Sequence, residues 1–553
     1  MGTVGDTVPD RGVRALLRRF VGVDDDEVSV PLVLLSGAIA AAVLSPLLWL
    51  LLRASEVPAG EALSLLRGST DVFANSIALV AVVTTASIVL GVPLAVLTVQ
   101  TDLPFRRFWT VVVALPLVVP SYVGAFAYVS AFGPDGALAD ALAPLGIGIP
   151  EVYGLGGTAL VLTLFVYPYV FLTTRAALLS FDETQLEAAR TLNVGYPEAF
   201  RRVILPQVLP AVTAGALLVA LYALSDFGTP SIMQYDVFTR TIYVELNSFG
   251  DGRANATLLS LQLLTVTAVV VALESRIGGD ADSGYGTPAS STAMVSLGRL
   301  RWVAMLLPAL VSVFTLALPV GILTMWFLRA EALTYDVGGR AFETGFALNS
   351  VYVAALAAVA TIAVALPVAY YSGRSRSRFA WLTERATYLG YAMPGVVLAL
   401  ALVFFSSTQL TELFGPGVSR AVYQSLPLLV FAYVVRFLPQ AVGATRSSVL
   451  GVDPSLIGAA RVLGTPPRQV FRRVTLPLIA PGVLAGAALV FLTTMKELDT
   501  TLILHPTGFT TLVTYIWRVQ EGGYYGRAAL PALVLVLISG LSMIPLLVQR
   551  RDT

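Results

Sequence analysis

The chain has 553 residues, of which 56% are hydrophobic and only 12% charged, and its formal net charge is +1. Soluble domains carry about a quarter charged residues, so this composition describes a polytopic membrane protein and offers no electrostatic case for nucleic acid. Cysteine is absent and His505 is the single histidine, which excludes a disulfide framework, thiolate metal centres and histidine-rich zinc or copper sites.

Residues 1–29 are polar and read as a cytoplasmic N-terminal segment. The first apolar run starts near Val30 without a clear small-residue cleavage site, so it is expected to be a retained span. A spanning helix needs about 20 apolar residues. On that criterion six spans are expected near 30–52, 73–99, 108–132, 157–178, 208–225 and 256–273. Residues 274–301, rich in Gly and Ser, read as a flexible cytoplasmic linker. Six more spans are expected near 302–328, 345–371, 386–407, 425–445, 479–495 and 528–548. The expected fold is all-α, with a first permease-like domain at 30–273 and a second at 302–548. Pro116, Pro168, Pro394 and Pro439 fall within spans, where a missing N–H permits a kink, though membrane helices also tolerate proline readily.

Orientation follows from basic residues. Of the 35, 24 fall in the N-terminal segment and in the loops that share its side; ten fall in the alternate loops and Arg436 lies inside a span. The bias toward one side places both termini in the cytoplasm.

The two halves repeat. "EAARTLNVGYPEAFRRVILP" at 187–206 returns as "GAARVLGTPPRQVFRRVTLP" at 458–477 without a gap. Ala188, Ala189, Arg190, Phe200, Arg201, Arg202 and Pro206 recur as Ala459, Ala460, Arg461, Phe471, Arg472, Arg473 and Pro477. Near the start of each half, Asn75 and Pro93 recur as Asn349 and Pro367. Both halves have six spans in the same sense, so the repeat is parallel. Each copied stretch reads as a short helix, a break at Gly195 or Gly464 with following proline, and a second helical turn that Pro206 or Pro477 joins to the next span. An apolar knob on such an element can dock in a groove of a soluble partner. The same pattern also suits an amphipathic helix on lipid headgroups, but two copies at equivalent places favour a two-fold partner.

The E-A-A start, the glycine and the Leu-Pro ending resemble the EAA loop of ATP-binding-cassette (ABC) importer permeases. "LSDFGTPSIM" and "MKELDTTLIL" resemble the iron(III) branch of that family, and related fused permeases carry thiamine or other small solutes. The resemblance implies a type I permease fold with both membrane domains on one chain, a cytoplasmic ABC ATPase dimer as partner and an extracytoplasmic solute-binding protein. It also implies that the repeated stretches, Glu187 and Gly464 included, are the coupling helices. The copies depart from the pattern at Asn193, where the family has glycine, and at Gly458, where it has glutamate, so their sockets are expected to differ. No P-loop surrounds Lys496, the single lysine, so ATP is expected to act in a separate subunit and no cofactor on this chain.

Asp226, Glu497 and Asp499, at the outer ends of the fifth and eleventh spans, are candidates for a solute path, since hard iron(III) prefers oxygen ligands. They equally suit solvated positions at headgroup level, or pairing with Lys496. An ion-gradient transporter using Asp226 or Glu497 as proton carriers is the alternative from another class. No nucleophile–histidine or metal-ligand cluster supports an enzyme.

Overall fold

The computed structural model describes residues 29–133, 136, 144, 152–181, 198, 200–248, 252–278, 295–329 and 342–549. Within these, eleven helices are long and apolar enough to cross a membrane, and a pair bent by 89°, Arg106–Val118 with Ser121–Phe132, passes the same test of length and hydropathy together. The protein is an all-α polytopic membrane protein. Among the described residues the β-structure is one isolated bridge, Thr101 with Val295.

Two of the departures from expectation are breaks at a proline. The third span turns by 89° between Val118 and Ser121. Pro120 forces Val119 into extended backbone (φ −80°, ψ 125°), because a residue before proline is driven out of the helical region. In the second half Met393 before Pro394 is likewise extended (φ −78°, ψ 119°). The ninth span therefore starts at Gly395 rather than near 386, and Arg378–Ala392 is a separate helix. Pro168 and Pro439, by contrast, lie inside continuous helices, Gly154–Leu179 and Leu426–Leu450.

The chain divides into two compact units. One comprises the described parts of Met1–Ser55, Gly345–Val513 and Leu541–Thr553. In it the first span, Val30–Ser55, lies on the helices around Pro394: Val33 is buried with Tyr371 and Ala380. Trp49 meets Phe405 at 5.0 Å, and Arg53 sits 5.7 Å over the Phe404 ring. The tenth and eleventh spans approach through small residues; a Cβ on Gly482 would fall 2.7 Å from the Ala444 carbonyl oxygen, the packing that membrane helices favour where no hydrophobic drive separates them from lipid.

The other unit comprises the described parts of Glu56–Thr344 and Thr514–Gly540. Its centre is the fourth span, held between the second and fifth. A Cβ on Gly91 would lie 2.9 Å from the Phe171 amide nitrogen, and one on Gly215 2.8 Å from Val170 Cα. The seventh span joins this unit through Tyr128, whose hydroxyl donates to the Phe314 carbonyl at 2.8 Å. The linker end is not free: the Val295 amide donates to the Gln100 carbonyl at 3.1 Å, the Asp102 amide donates to the Val295 carbonyl at 3.3 Å, and Asp102 Oδ1 accepts the Leu297 amide at 2.7 Å.

Candidate functional site

The second copy of the repeated stretch is fully described. Asp453 opens it by accepting the Ser455 amide at 2.8 Å, so helix Pro454–Val462 starts with a capped first turn. The helix stops at Gly464, whose φ of +78° is the left-handed backbone that glycine adopts without strain. The Gly464 amide donates to the Arg461 carbonyl at 2.8 Å and the Thr465 amide to that of Ala460 at 3.2 Å. Pro466 then restarts the chain into Pro467–Val470.

The inner side of this element is anchored. Ile457 and Val470 are buried with Val449, Val452 and Ile479, and Ala460 and Val474 rest on the same cluster. Phe471 meets Tyr370 edge-on at 5.4 Å. Its outer side is apolar and open: Val462 is 88% and Leu463 83% exposed. Ala459, Arg472, Arg473 and Pro477 are exposed as well, and Arg461 is half-buried. Sequence reading singled out the arginines and alanines but not Val462 and Leu463. The missed signal is two adjacent large apolar residues at the helix end, just before the left-handed glycine.

In the first copy, Glu187, Ala188, Ala189, Arg190 and Gly195 lie outside the described residues. Phe200 rests against the core of its own unit, and Arg201, Arg202 and Pro206 are exposed. Arg202 pairs with Glu198 at 2.9 Å.

Both copies enter the membrane in the same way. A wide turn, Phe200–Ile204 or Phe471–Thr475, runs directly into helix Leu205–Ser225 or Leu476–Lys496. Pro206 and Pro477 lack the N–H that would bond the carbonyl four residues earlier, which opens the turn without ending the helix. The spans therefore run without a hinge as Phe200–Ser225 and Pro467–Lys496, longer at the start than expected.

Comparison with known proteins settles the family. Residues 87–275 and 365–550 each match the profile described as binding-protein-dependent transport system inner membrane component. The chain belongs to this family. The permease is 30% identical over 503 residues to the Fe(3+)-transport system permease protein FbpB 2 of Haemophilus influenzae, covering 90% of this chain and 94% of that one. It is 23% identical to the ferric transport system permease protein FbpB of Actinobacillus pleuropneumoniae, over 84% of this chain and 69% of that one. A probable molybdenum ABC transporter permease of Haloferax volcanii is 33% identical over 230 residues, 40% of this chain and 80% of that one.

The three candidate path acids of this permease are not solvated. Asp226, Glu497 and Asp499 are buried, at 9%, 8% and 7% exposure. Asp226 accepts the Ser121 hydroxyl on Oδ2 and the Thr229 amide on Oδ1, the latter at 2.8 Å. Glu497 accepts the Thr500 hydroxyl at 2.9 Å and pairs with Arg436 at 3.3 Å. Asp226 and Glu497 thus each tie the end of a span to the short helix that follows. The partner of Glu497 is Arg436 from the tenth span.

Two further sets of residues make contacts that the sequence did not show. Asn75 donates to the Asp236 carbonyl at 3.0 Å, and Ser76 accepts the Phe238 amide at 3.0 Å. Their equivalents do the same: Asn349 donates to the Thr510 carbonyl at 2.9 Å, and Ser350 accepts the Leu512 amide at 2.8 Å. The repeated Asn-Ser pair therefore clasps the loop that follows the fifth span in one half and the eleventh in the other. Tyr243 and Trp517 occupy equivalent positions, and both rings lie on Phe227, at 4.6 and 5.1 Å.

Proposed function

We propose that this chain is the membrane permease of an ATP-driven, binding-protein-dependent importer for iron(III). In this reading 30–273 and 302–548 are its permease domains, 274–301 is the linker, and both termini are cytoplasmic. An ABC ATPase dimer docks on the two coupling elements and a solute-binding protein delivers iron from outside; the chain itself binds no cofactor. The observation that carries the reading is the second coupling element. Val462 and Leu463 are presented to a partner, Ile457 and Val470 fix the element to the bundle, and beyond the Gly464 turn a continuous helix from Pro467 runs into the eleventh span. Movement of the ATPase then tilts that span, and alternating access follows from opposed tilting of the two halves.

Iron is favoured over molybdenum by coverage. The relatives named for Fe(3+) or ferric transport align with 84–90% of the chain, the molybdenum relative with 40%, the size of one permease half. Asp226 and Glu497 each hold neighbouring groups of their own unit, which suits a structural role better than a shuttle of protons or iron. The rings of Phe227, Tyr243 and Trp517 are the better candidates for closing the passage. Uptake of labelled iron(III) by vesicles containing permease, ATPase and binding protein tests the proposal. It requires uptake that stops without ATP or without the binding protein; uptake driven by a proton gradient alone rejects it.

A further inference from the structure

At the inner end of the second span the two halves part company. In the first half residues 98–102 read "TVQTD", and the chain covers them itself: Val295 N–H donates to the Gln100 carbonyl at 3.1 Å, and Asp102 Oδ1 holds the Leu297 amide at 2.7 Å. The equivalent residues 372–376 read "SGRSR", so an arginine, Arg376, stands where Asp102 held the linker. A cavity of about 610 Å³ opens here, lined by Arg374, Arg376, Arg446 and Glu384 together with Ser372, Ser375 and Trp381.

Its charge is built into the fold. Arg374 donates to the Val452 carbonyl at 3.2 Å, and Arg446 pairs with Glu384 at 3.3 Å, so two guanidiniums are held in place. One carboxylate faces three arginines, and Ser372 and Ser375 are buried in the same wall. The other rim is apolar: Trp381 and Leu382 are 59% and 50% exposed on helix Arg378–Ala392, and Arg385 lies 5.7 Å over the Trp381 ring. Planar guanidiniums bind phosphate oxygens in pairs, and an exposed tryptophan beside them is at home in the headgroup layer.

We propose that this cavity binds a phosphate-bearing anion, either the headgroup of an acidic phospholipid or free phosphate. At the equivalent place in the first half, residues 295–297 of the linker bond to residues 100–102 instead. It is independent of the transported solute.

The test is equilibrium binding to the purified full-length chain in detergent, with dioctanoyl phosphatidylglycerol, dioctanoyl phosphatidylcholine and inorganic phosphate as probes. One saturable site is expected per chain. Arg376 is exposed, and Arg376→Gln should weaken it about fivefold without altering unprobed thermal unfolding; Arg376→Glu should weaken it further. Binding of phosphatidylglycerol alone identifies a lipid headgroup, whereas equal competition by inorganic phosphate identifies the free anion. Equal binding of phosphatidylcholine and phosphatidylglycerol without competition by phosphate, no saturable site, or binding unchanged in both Arg376 variants overturns the proposal. So does protection of this surface by the ATPase subunit when neither phosphate probe binds, which makes it a protein contact.

Discussion

Arg436 Nε lies 3.3 Å from Glu497 Oε2, with both side chains buried. A charge at this depth is tolerated only with a partner. In the other half the equivalent residues are Phe165 and Asp226, and Asp226 is held by a serine hydroxyl and a backbone amide instead. The same loop is therefore tied by an ion pair in one half and by neutral donors in the other. Removing Arg436 alone, as Arg436→Leu, should destabilise the permease by about 3–5 kcal/mol, because Glu497 is left buried and uncompensated. Arg436→Leu with Glu497→Leu should recover most of that loss. Thermal unfolding of the three purified proteins decides it; a double variant as weak as the single one contradicts the pairing.

Gly395 and Ser121 occupy equivalent positions, yet only the first half can hold a side chain there. A Cβ on Gly395 would fall 2.3 Å from Arg436 Nη1 and 2.7 Å from Glu497 Oε1. Gly395→Ser should therefore cost about 1–3 kcal/mol by overpacking, although it copies the other half's own residue. Ser121→Gly should instead lose one hydrogen bond, about 1 kcal/mol. Denaturation midpoints of the two variants, compared with the parent, check the order.

The Asn-Ser clasp predicts a local effect. Ser350→Ala leaves the buried Leu512 amide without its acceptor, which should cost about 1–3 kcal/mol. Amide exchange at Leu512 should quicken accordingly, while exchange in the loop after the fifth span stays unchanged. Equal quickening in both halves would show that the clasps do not act separately.

The proposed coupling element allows docking to be tested apart from folding. Val462→Asp and Leu463→Asp change nearly fully exposed positions, so stability should move by less than about 0.5 kcal/mol while capture of the ATPase subunit falls. Ile457→Ala removes a buried anchor and should cost about 2–4 kcal/mol. Pull-down and thermal unfolding on the same three proteins distinguish the roles; undiminished capture by both aspartate variants would remove Val462 and Leu463 from the interface.

Asp453 adds a pH dependence. The Ser455 amide holds its carboxyl below the usual carboxylate range. The cap is therefore complete above the unfolded value of about 3.9 and is lost as pH falls through the lower folded value. Helix Pro454–Val462 should exchange amides faster only under strongly acidic conditions, and Asp453→Asn should flatten that dependence. A change already between pH 7 and 5 would point to a different group.

Sequence alone determined the polytopic all-α class, the parallel duplication and the family. Those depend on quantities that are local along the chain: length of apolar runs, spacing of arginines and recurrence of "AAR" and "FRRV". It also located the repeated stretch just before the fifth and eleventh spans, and the second copy lies wholly within the described residues. It could not tell that Asp226 and Glu497 are tied down. A carboxylate's partner is set by which distant helix passes within about 3 Å of it, and Arg436 is 61 residues from Glu497 in the chain. Nor could it say which face of Pro454–Val462 is anchored, since Ile457, Val462 and Leu463 are alike in hydropathy and differ only in what stands next to them. The bends at Pro120 and Pro394, set against the straight passages through Pro168 and Pro439, make the same point. Proline removes a donor in every case, but the packing of neighbouring spans decides whether the helix breaks.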